Sequence, residues 1–297
     1  MKNIRSLGLL FLTAMIWGFA FVAQRVGADF VGAFTFNGVR FTLGAISLIP
    51  VIMIFEKKDE KEDIHKERQK HSIIIGLIAG VVLFVASWLQ QLGVEVTGSA
   101  GKAGFITGLY TVLVPIFGIF LRRKTNVNIW IGTLFAVLGM FLLCINEKWK
   151  IESGDMILLC GSVFWALHIL VIDRFVSSVY SLRFACTQFV VCAVLSLVLA
   201  FAMETVTLEG IKAAAVPILY GGVMSVGVAY TCQIIGQKNA DPTHASIILS
   251  TESMFSAIGG AIILNEVMTG RGYLGCVCIF AGIIVSQLSP KKLKNGQ

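Results

Sequence analysis

The sequence predicts an all-α integral membrane fold: ten transmembrane helices built as two inverted five-helix repeats, with both termini cytoplasmic. Three observations carry this expectation. The 297-residue chain is 56% hydrophobic and only 14% charged, with a mean hydropathy of +0.83, whereas soluble domains are about a quarter charged. Ten apolar runs follow one another, each near the roughly 20 residues a helix needs to cross a bilayer. The last five runs echo the first five in order.

The first run, 6–24, carries Trp17 near its middle and has a full-length counterpart at 154–173. It is therefore read as a retained helix, although Gly18 and Ala20 are small enough to suit a cleavage site. The second run, 33–55, places Asn37, Arg40, Gly44 and Ser47 at helical spacing on one polar, small face. A charged segment at 56–71 follows, with acids and bases nearly cancelling, and reads as a solvated connection. Runs at 72–92, 101–121 and 128–146 complete the first half. After a polar boundary at 146–155, the second half supplies 154–173, 180–202, 213–236, 243–265 and 271–289. The expected units are thus 6–146 and 154–289. Barrel strands would alternate over about ten residues instead of running apolar throughout.

The repeat can be followed residue by residue. Trp17 falls on Trp165, Arg40 on Gln188, Phe41 on Phe189 and Glu56 on Glu204. Gln90 and Gly93 fall on Gln233 and Gly236, and Ala103 on Ala245. Tyr110 falls on Glu252, Gly118 on Gly260, and Gly132 and Gly139 on Gly275 and Gly282. An odd number of spans per half sets the second copy upside down relative to the first. Inverted repeats of this kind mark secondary transporters, whose solute binds near the membrane midplane at the repeat interface.

The net charge of +7 does not point to nucleic acid. Most of the 24 Lys and Arg flank the runs, on the termini and the even-numbered connections. That side is expected to face the cytoplasm. The seven cysteines lie within the runs without a C-x-x-C and read as packing residues. No catalytic motif, cofactor motif or metal-ligand spacing stands out, and no Walker loop supplies ATP coupling.

The mid-span tryptophan and its copy, the stretch GFITGLYTVLVPIFG (104–118), and ASIILSTESMFSAIGGAIILNEVMTGRGYLG (245–275) resemble the drug/metabolite transporter superfamily, in its ten-helix EamA-type branch. The resemblance covers nearly the whole chain. It implies transport of amino acids, nucleotide sugars, sugars or drugs, mostly outward. The family's Glu-Pro is Glu252-Ser253 here, which removes the proline expected to kink the ninth span. Pro115 is the residue expected to kink the fourth.

Charge inside hydrocarbon is costly and usually faces a cavity, so the intramembrane polar residues are the candidate site. Arg40 could bond a substrate carboxylate, or snorkel or pair with an internal acid. Glu252, the deepest acid, could bind an ammonium or carry a coupling proton; its alternative is a structural bond to Arg40 or a tyrosine. Tyr110 is its repeat mate. His168 could bind solute or simply be a packed, hydrogen-bonded histidine. Trp17 and Trp165 could wall the solute or fill the core. Gln90, Gln91, Gln188 and Gln233 are candidate cavity-lining hydrogen-bonders, each with interhelical bonding as its bland role. Lys102 and Asp241 lie at the water interface, where charge costs little. The expected partners are a small-molecule substrate and the lipid bilayer, with a homo-oligomer contact on the outer spans. The expected activity is export of amino acids or similar small metabolites across the plasma membrane. Drug, sugar or nucleotide-like solutes and a non-transporting sensor are the alternatives.

Overall fold

The computed structural model describes residues 2–55, 62–121, 127–144, 153–238, 240–266 and 270–287. Part of the 56–71 segment and much of the 146–155 boundary lie outside these residues. The described residues are all-helical. In order they form α1 (Lys2–Gly27), α2 (Ala33–Phe55), α3 (Glu62–Thr97), α4 (Ala100–Gly108), α5 (Tyr110–Phe120), α6 (Val127–Cys144) and α7 (Ser153–Phe175). Then come α8 (Ser181–Met203), α9 (Leu208–Ala213), α10 (Ala215–Leu219), a π-helical stretch (Tyr220–Tyr230), α11 (Thr231–Gln237), α12 (Pro242–Leu249), α13 (Glu252–Ile263) and α14 (Gly270–Gln287). Among the described residues, eight helical segments are long and apolar enough to cross a membrane, and two shorter apolar helices cover Val127–Gly139 and Tyr273–Ser286.

The burial pattern is that of a protein solvated by lipid. Gln24, Gln91, Gln188 and Gln233 are buried, while Met53, Phe120 and Val216 are 80%, 79% and 78% exposed. Water would favour the reverse arrangement. Helices suit this setting because they satisfy their backbone groups internally.

Close contacts at small residues set the helix pairs. α6 packs along α14 in antiparallel fashion: a Cβ on Gly132 would stand 2.6 Å from the Gly282 carbonyl, and one on Gly139 would stand 2.6 Å from the Gly275 carbonyl. α2 packs antiparallel to α8. Near one end Glu204 accepts bonds from the Phe34 and Thr35 N–H groups, both at 2.8 Å, and covers the positive N-terminus of α2. Phe41 meets Phe189 in the middle at 6.1 Å, and Cys186 Sγ reaches the Ala45 carbonyl at 3.8 Å. α3 lies against α7 and α8, and α1 against α13, α11 and the π-helical stretch.

Two apolar segments are broken in mid-course. Ala100–Phe120 is interrupted at Leu109, between α4 and α5. Leu109 N bonds Ile106 O at 3.2 Å and Val112 N bonds Leu109 O at 3.0 Å, a tightening to i→i−3 pairing. The interruption lies more than a turn before Pro115, which sits inside α5, so the proline expected to kink this span is not where it breaks. Gly108, a weak helix former, immediately precedes the break. Pro242–Ile263 breaks at Ser250 and Thr251 with no proline. There Ser250 Oγ bonds Ile247 O at 2.8 Å and Thr251 Oγ1 bonds Ile248 O at 2.7 Å. Hydroxyls that bond back to the helix carbonyls compete with the ladder and bend it. The loss of the family's proline therefore did not keep this span straight.

The interface charges act as caps and ties. Lys102 pairs with Asp155 at 2.8 Å, joining α4 to α7. Asp241 caps α12, accepting from Thr243 N at 2.9 Å. Burial opposes ionisation of Asp241, but bonds from the His244 side chain and from the Thr243 and His244 backbone outweigh it and hold the carboxyl below its ordinary pKa.

Candidate functional site

Both breaks open onto one partly enclosed cavity. α1 contributes Trp17 and Gln24, α2 contributes Arg40, and α3 contributes Gln90. The α4–α5 break brings Thr107 and Tyr110, and α7 brings Trp165. The π-helical stretch adds Tyr230, α11 adds Gln233, and the first residue of α13 is Glu252. Trp17, Arg40, Tyr110, Trp165 and Glu252, all expected at the solute, thus lie on its wall.

His168 does not reach it. Its ring is fully buried behind the aromatic wall, edge-on to Trp165 at 5.9 Å and to Tyr230 at 6.2 Å. Its Nε2 pairs with Gln188 Oε1 at 2.8 Å, so Gln188 is engaged in the core as well.

The aromatic wall is a compact set. Trp17 lies 4.7 Å from Tyr230 and 6.1 Å from Trp165, and Trp165 stacks on Tyr230 at 6.1 Å. The π-helical stretch positions it. α1 ties to the stretch through two of its carbonyls: Trp17 Nε1 donates to Ser225 O at 3.3 Å and Thr13 Oγ1 donates to Ala229 O at 3.0 Å. On its other side Gly222 lets α2 approach closely, since a Cβ there would stand 2.7 Å from Leu43 Cβ and 3.0 Å from the Arg40 carbonyl.

Arg40 is the site's main electrostatic feature. It is 2% exposed. Its Nε donates to Asn37 Oδ1 at 2.9 Å, and Asn37 Nδ2 donates to Ser87 O at 3.0 Å, so both ends of the amide are fixed. Its guanidinium carbon lies 5.0 Å from the Phe41 ring centroid and 5.4 Å from that of Phe36, which is cation–π range. Among the described residues no carboxylate lies within ion-pair distance of it, and Nη2 has no hydrogen-bond partner. Glu252 is therefore not its structural mate.

Unpaired polar atoms converge on this cavity. Besides Arg40 Nη2 they are, among the described residues, Glu252 Oε1, Thr107 Oγ1, Trp165 Nε1 and both amide atoms of Gln233, while the Tyr110 hydroxyl faces the Glu252 side chain. Buried polar groups are almost always hydrogen-bonded, so such a concentration marks a place where a ligand or water completes them. Among the described residues no group of three or more His, Cys, Asp or Glu side chains is gathered for a metal.

Sequence reasoning passed over Tyr230, Gln24 and Thr107. A mid-span tyrosine in a Gly-rich run was a usable signal for the first. The others have none beyond their polarity.

A profile of the EamA-like transporter family matches residues 4–145 and again 152–288. An "Uncharacterized transporter" of Archaeoglobus fulgidus is 27% identical over 95% of this chain and 85% of its own length. The "Uncharacterized transporter YoaV" of Bacillus subtilis is 24% identical over 97% of this chain and 98% of its own. A solved crystal structure superposes with a TM-score of 0.77 over 95% of this chain and 96% of that one, at 16% identity, which establishes a common fold. The paired profile match, the lipid-facing exterior and the polar central cavity agree: this multi-pass membrane chain belongs to the EamA-like transporter family.

Proposed function

We propose that this protein is a secondary transporter, not an enzyme, that exports amino acids or similar small zwitterionic metabolites across the plasma membrane by alternating access. In this reading ten spans form two inverted five-helix units, 6–146 and 154–289, with both termini cytoplasmic. The antiparallel pairing of repeat mates supports the inversion. Gly132 meets Gly282 while Gly139 meets Gly275, a reciprocal exchange of repeat partners. Phe41 meets its own mate Phe189 at 6.1 Å, and Trp17 meets Trp165 at 6.1 Å. α6 and α14 pair chiefly with each other. Their outer apolar faces are where a homo-oligomer contact would form.

One observation carries the substrate reading. A cation and a carboxyl group, Arg40 and Glu252, line the same buried cavity, and each keeps a polar atom without a partner. A zwitterion supplies the missing partners of both: its carboxylate to Arg40 Nη2 and its ammonium to Glu252 Oε1. Trp17 and Trp165 form the wall for its side chain, and Tyr110 lies beside Glu252 in the chain fold, on the facing half-helix. His168, held by Gln188, backs Trp165 and acts on the solute only through it.

The test is counterflow of a labelled amino-acid mixture in proteoliposomes, with and without an imposed pH gradient. Uptake above protein-free liposomes is expected. Its absence from folded protein in both conditions would overturn the amino-acid reading and move the search to drugs, sugars and nucleotide-like solutes.

A further inference from the structure

In the sequence repeat Gln90 corresponds to Gln233, and both line the cavity. The two amides are in different states. Gln90 Nε2 donates to Gln24 Oε1 at 2.9 Å, and the adjacent Gln91 Nε2 donates to the Gln24 carbonyl at 3.1 Å. Those bonds tie α3 to α1. Gln233 is fully buried, yet among the described residues neither its Nε2 nor its Oε1 has a partner. It is not needed as an interhelical tie, because Gln237, one turn on, already reaches the Ile169 carbonyl of α7 at 3.3 Å.

A buried carboxamide open at both ends is costly unless something brings it a donor and an acceptor together. We infer that Gln233 is a substrate-reading residue: Oε1 accepts from an N–H and Nε2 donates to an oxygen of one solute that carries both on neighbouring atoms. The inference rests on the amino-acid reading above, since an α-ammonium and an α-carboxylate are such a pair. Arg40 and Glu252 supply charge, and Gln233 supplies the requirement that both groups be present. A simple amine satisfies only Oε1 and a simple carboxylate only Nε2, and each leaves the other amide atom buried and unpaired. Sites built this way reject solutes that lack one partner more strongly than apolar pockets reject a missing methylene. Gln90, engaged by Gln24, takes no part. The pseudo-symmetric cavity therefore reads the zwitterion in one orientation.

The experiment is binding of a labelled mixture of the standard amino acids to purified, detergent-solubilised protein. The competitors are the unlabelled mixture, amines bearing the same side chains, and carboxylates bearing the same side chains. Wild-type protein is expected to prefer the amino acids over either analogue set by about tenfold or more. In Gln233→Met, which keeps the side-chain volume, affinity falls by about tenfold or more and the preference collapses, with a melting temperature of the solute-free protein at or above that of wild type. Gln90→Met, which cuts the α3–α1 tie, is expected to lower the melting temperature while keeping the preference for amino acids over either analogue set, because its amide does not serve the solute. Should Gln233→Met fail to fold, Gln233→Glu takes its place: it keeps the acceptor, loses the donor and binds about tenfold weaker. Retained affinity and preference in the Gln233 variant, or an equal loss of preference in Gln90→Met, would overturn the inference while the amino-acid reading stands. Failure of wild-type protein to bind the mixture would overturn that reading itself.

Discussion

At the scale of single residues, Arg40 sets function against stability. A guanidinium held by Asn37, flanked by Phe36 and Phe41 and, among the described residues, without a carboxylate in reach is an expensive group to keep in a membrane protein. Stability alone would favour an apolar side chain there. Arg40→Met is therefore expected to raise the melting temperature of the purified protein, by a free energy of about 1–3 kcal/mol, and to abolish uptake of carboxylate-bearing solutes. A lower melting temperature in this variant would make Arg40 a structural residue. Glu252→Gln keeps the size and much of the bonding capacity of the side chain and removes its charge. Folding is expected to be unchanged, with transport lost or no longer responsive to a pH gradient. Unchanged kinetics and pH response would take Glu252 out of the site. Both residues were legible in the sequence because charge is rare in apolar runs. His168 was equally conspicuous, but its orientation toward Gln188 and away from the cavity depends on packing between α7 and α8, which spacing along one helix does not encode. Gln233 and Gln90 were indistinguishable in sequence for the same reason: only the position of Gln24 separates them.

At the scale of elements, the apolar runs gave the helices and their order, because length and composition decide whether a segment can span a bilayer. The interruptions were less legible. The one at Leu109 was expected at Pro115, and the one at Ser250 and Thr251 was not expected once the proline was missing. The second break rests on hydroxyl back-bonds to Ile247 O and Ile248 O, and Ser or Thr in a span makes such bonds without always bending it. The break matters because it turns the start of α13, with Glu252, toward the cavity, while Ser253 and Ser256 anchor α13 to the Gly104 and Ala100 carbonyls of α4, each at 2.7 Å. Replacing Ser250 and Thr251 together by Ala removes the competing bonds and favours a continuous helix. The double variant is expected to lose about tenfold or more in transport rate, through displacement of Glu252, at a stability cost of about 1–2 kcal/mol. Wild-type transport in the double variant would mean that the hydroxyls do not shape the site.

At the scale of the whole molecule, three sets of helices pack against their repeat counterparts: α2 with α8, α6 with α14, and α4–α5 with α12–α13. Helices that pack antiparallel against their own repeat mates, with Gly132 and Gly139 exchanging partners with Gly275 and Gly282, are what a two-fold axis in the membrane plane would produce. Sequence exposed this only as an ordered series of weak matches; the contacts themselves need the fold. The proposed inversion has a consequence that does not depend on substrate. Asp29, in the turn after α1, and Ser177, in the turn after α7, are repeat counterparts, and both are exposed. If the halves are inverted, these turns lie on opposite faces of the membrane; if the halves run parallel, they lie on the same face. Among the described residues Asp29 pairs with Arg25 alone, and its own side chain is exposed, so its replacement costs little. In a background with the seven native cysteines replaced, a membrane-impermeant maleimide added to intact cells should label Asp29→Cys and spare Ser177→Cys until the membrane is permeabilised. Labelling of Ser177→Cys alone would keep the inversion but reverse the orientation inferred from the Lys and Arg distribution. Labelling of both from one side would remove the two-fold relation, and with it the alternating-access cycle built on it.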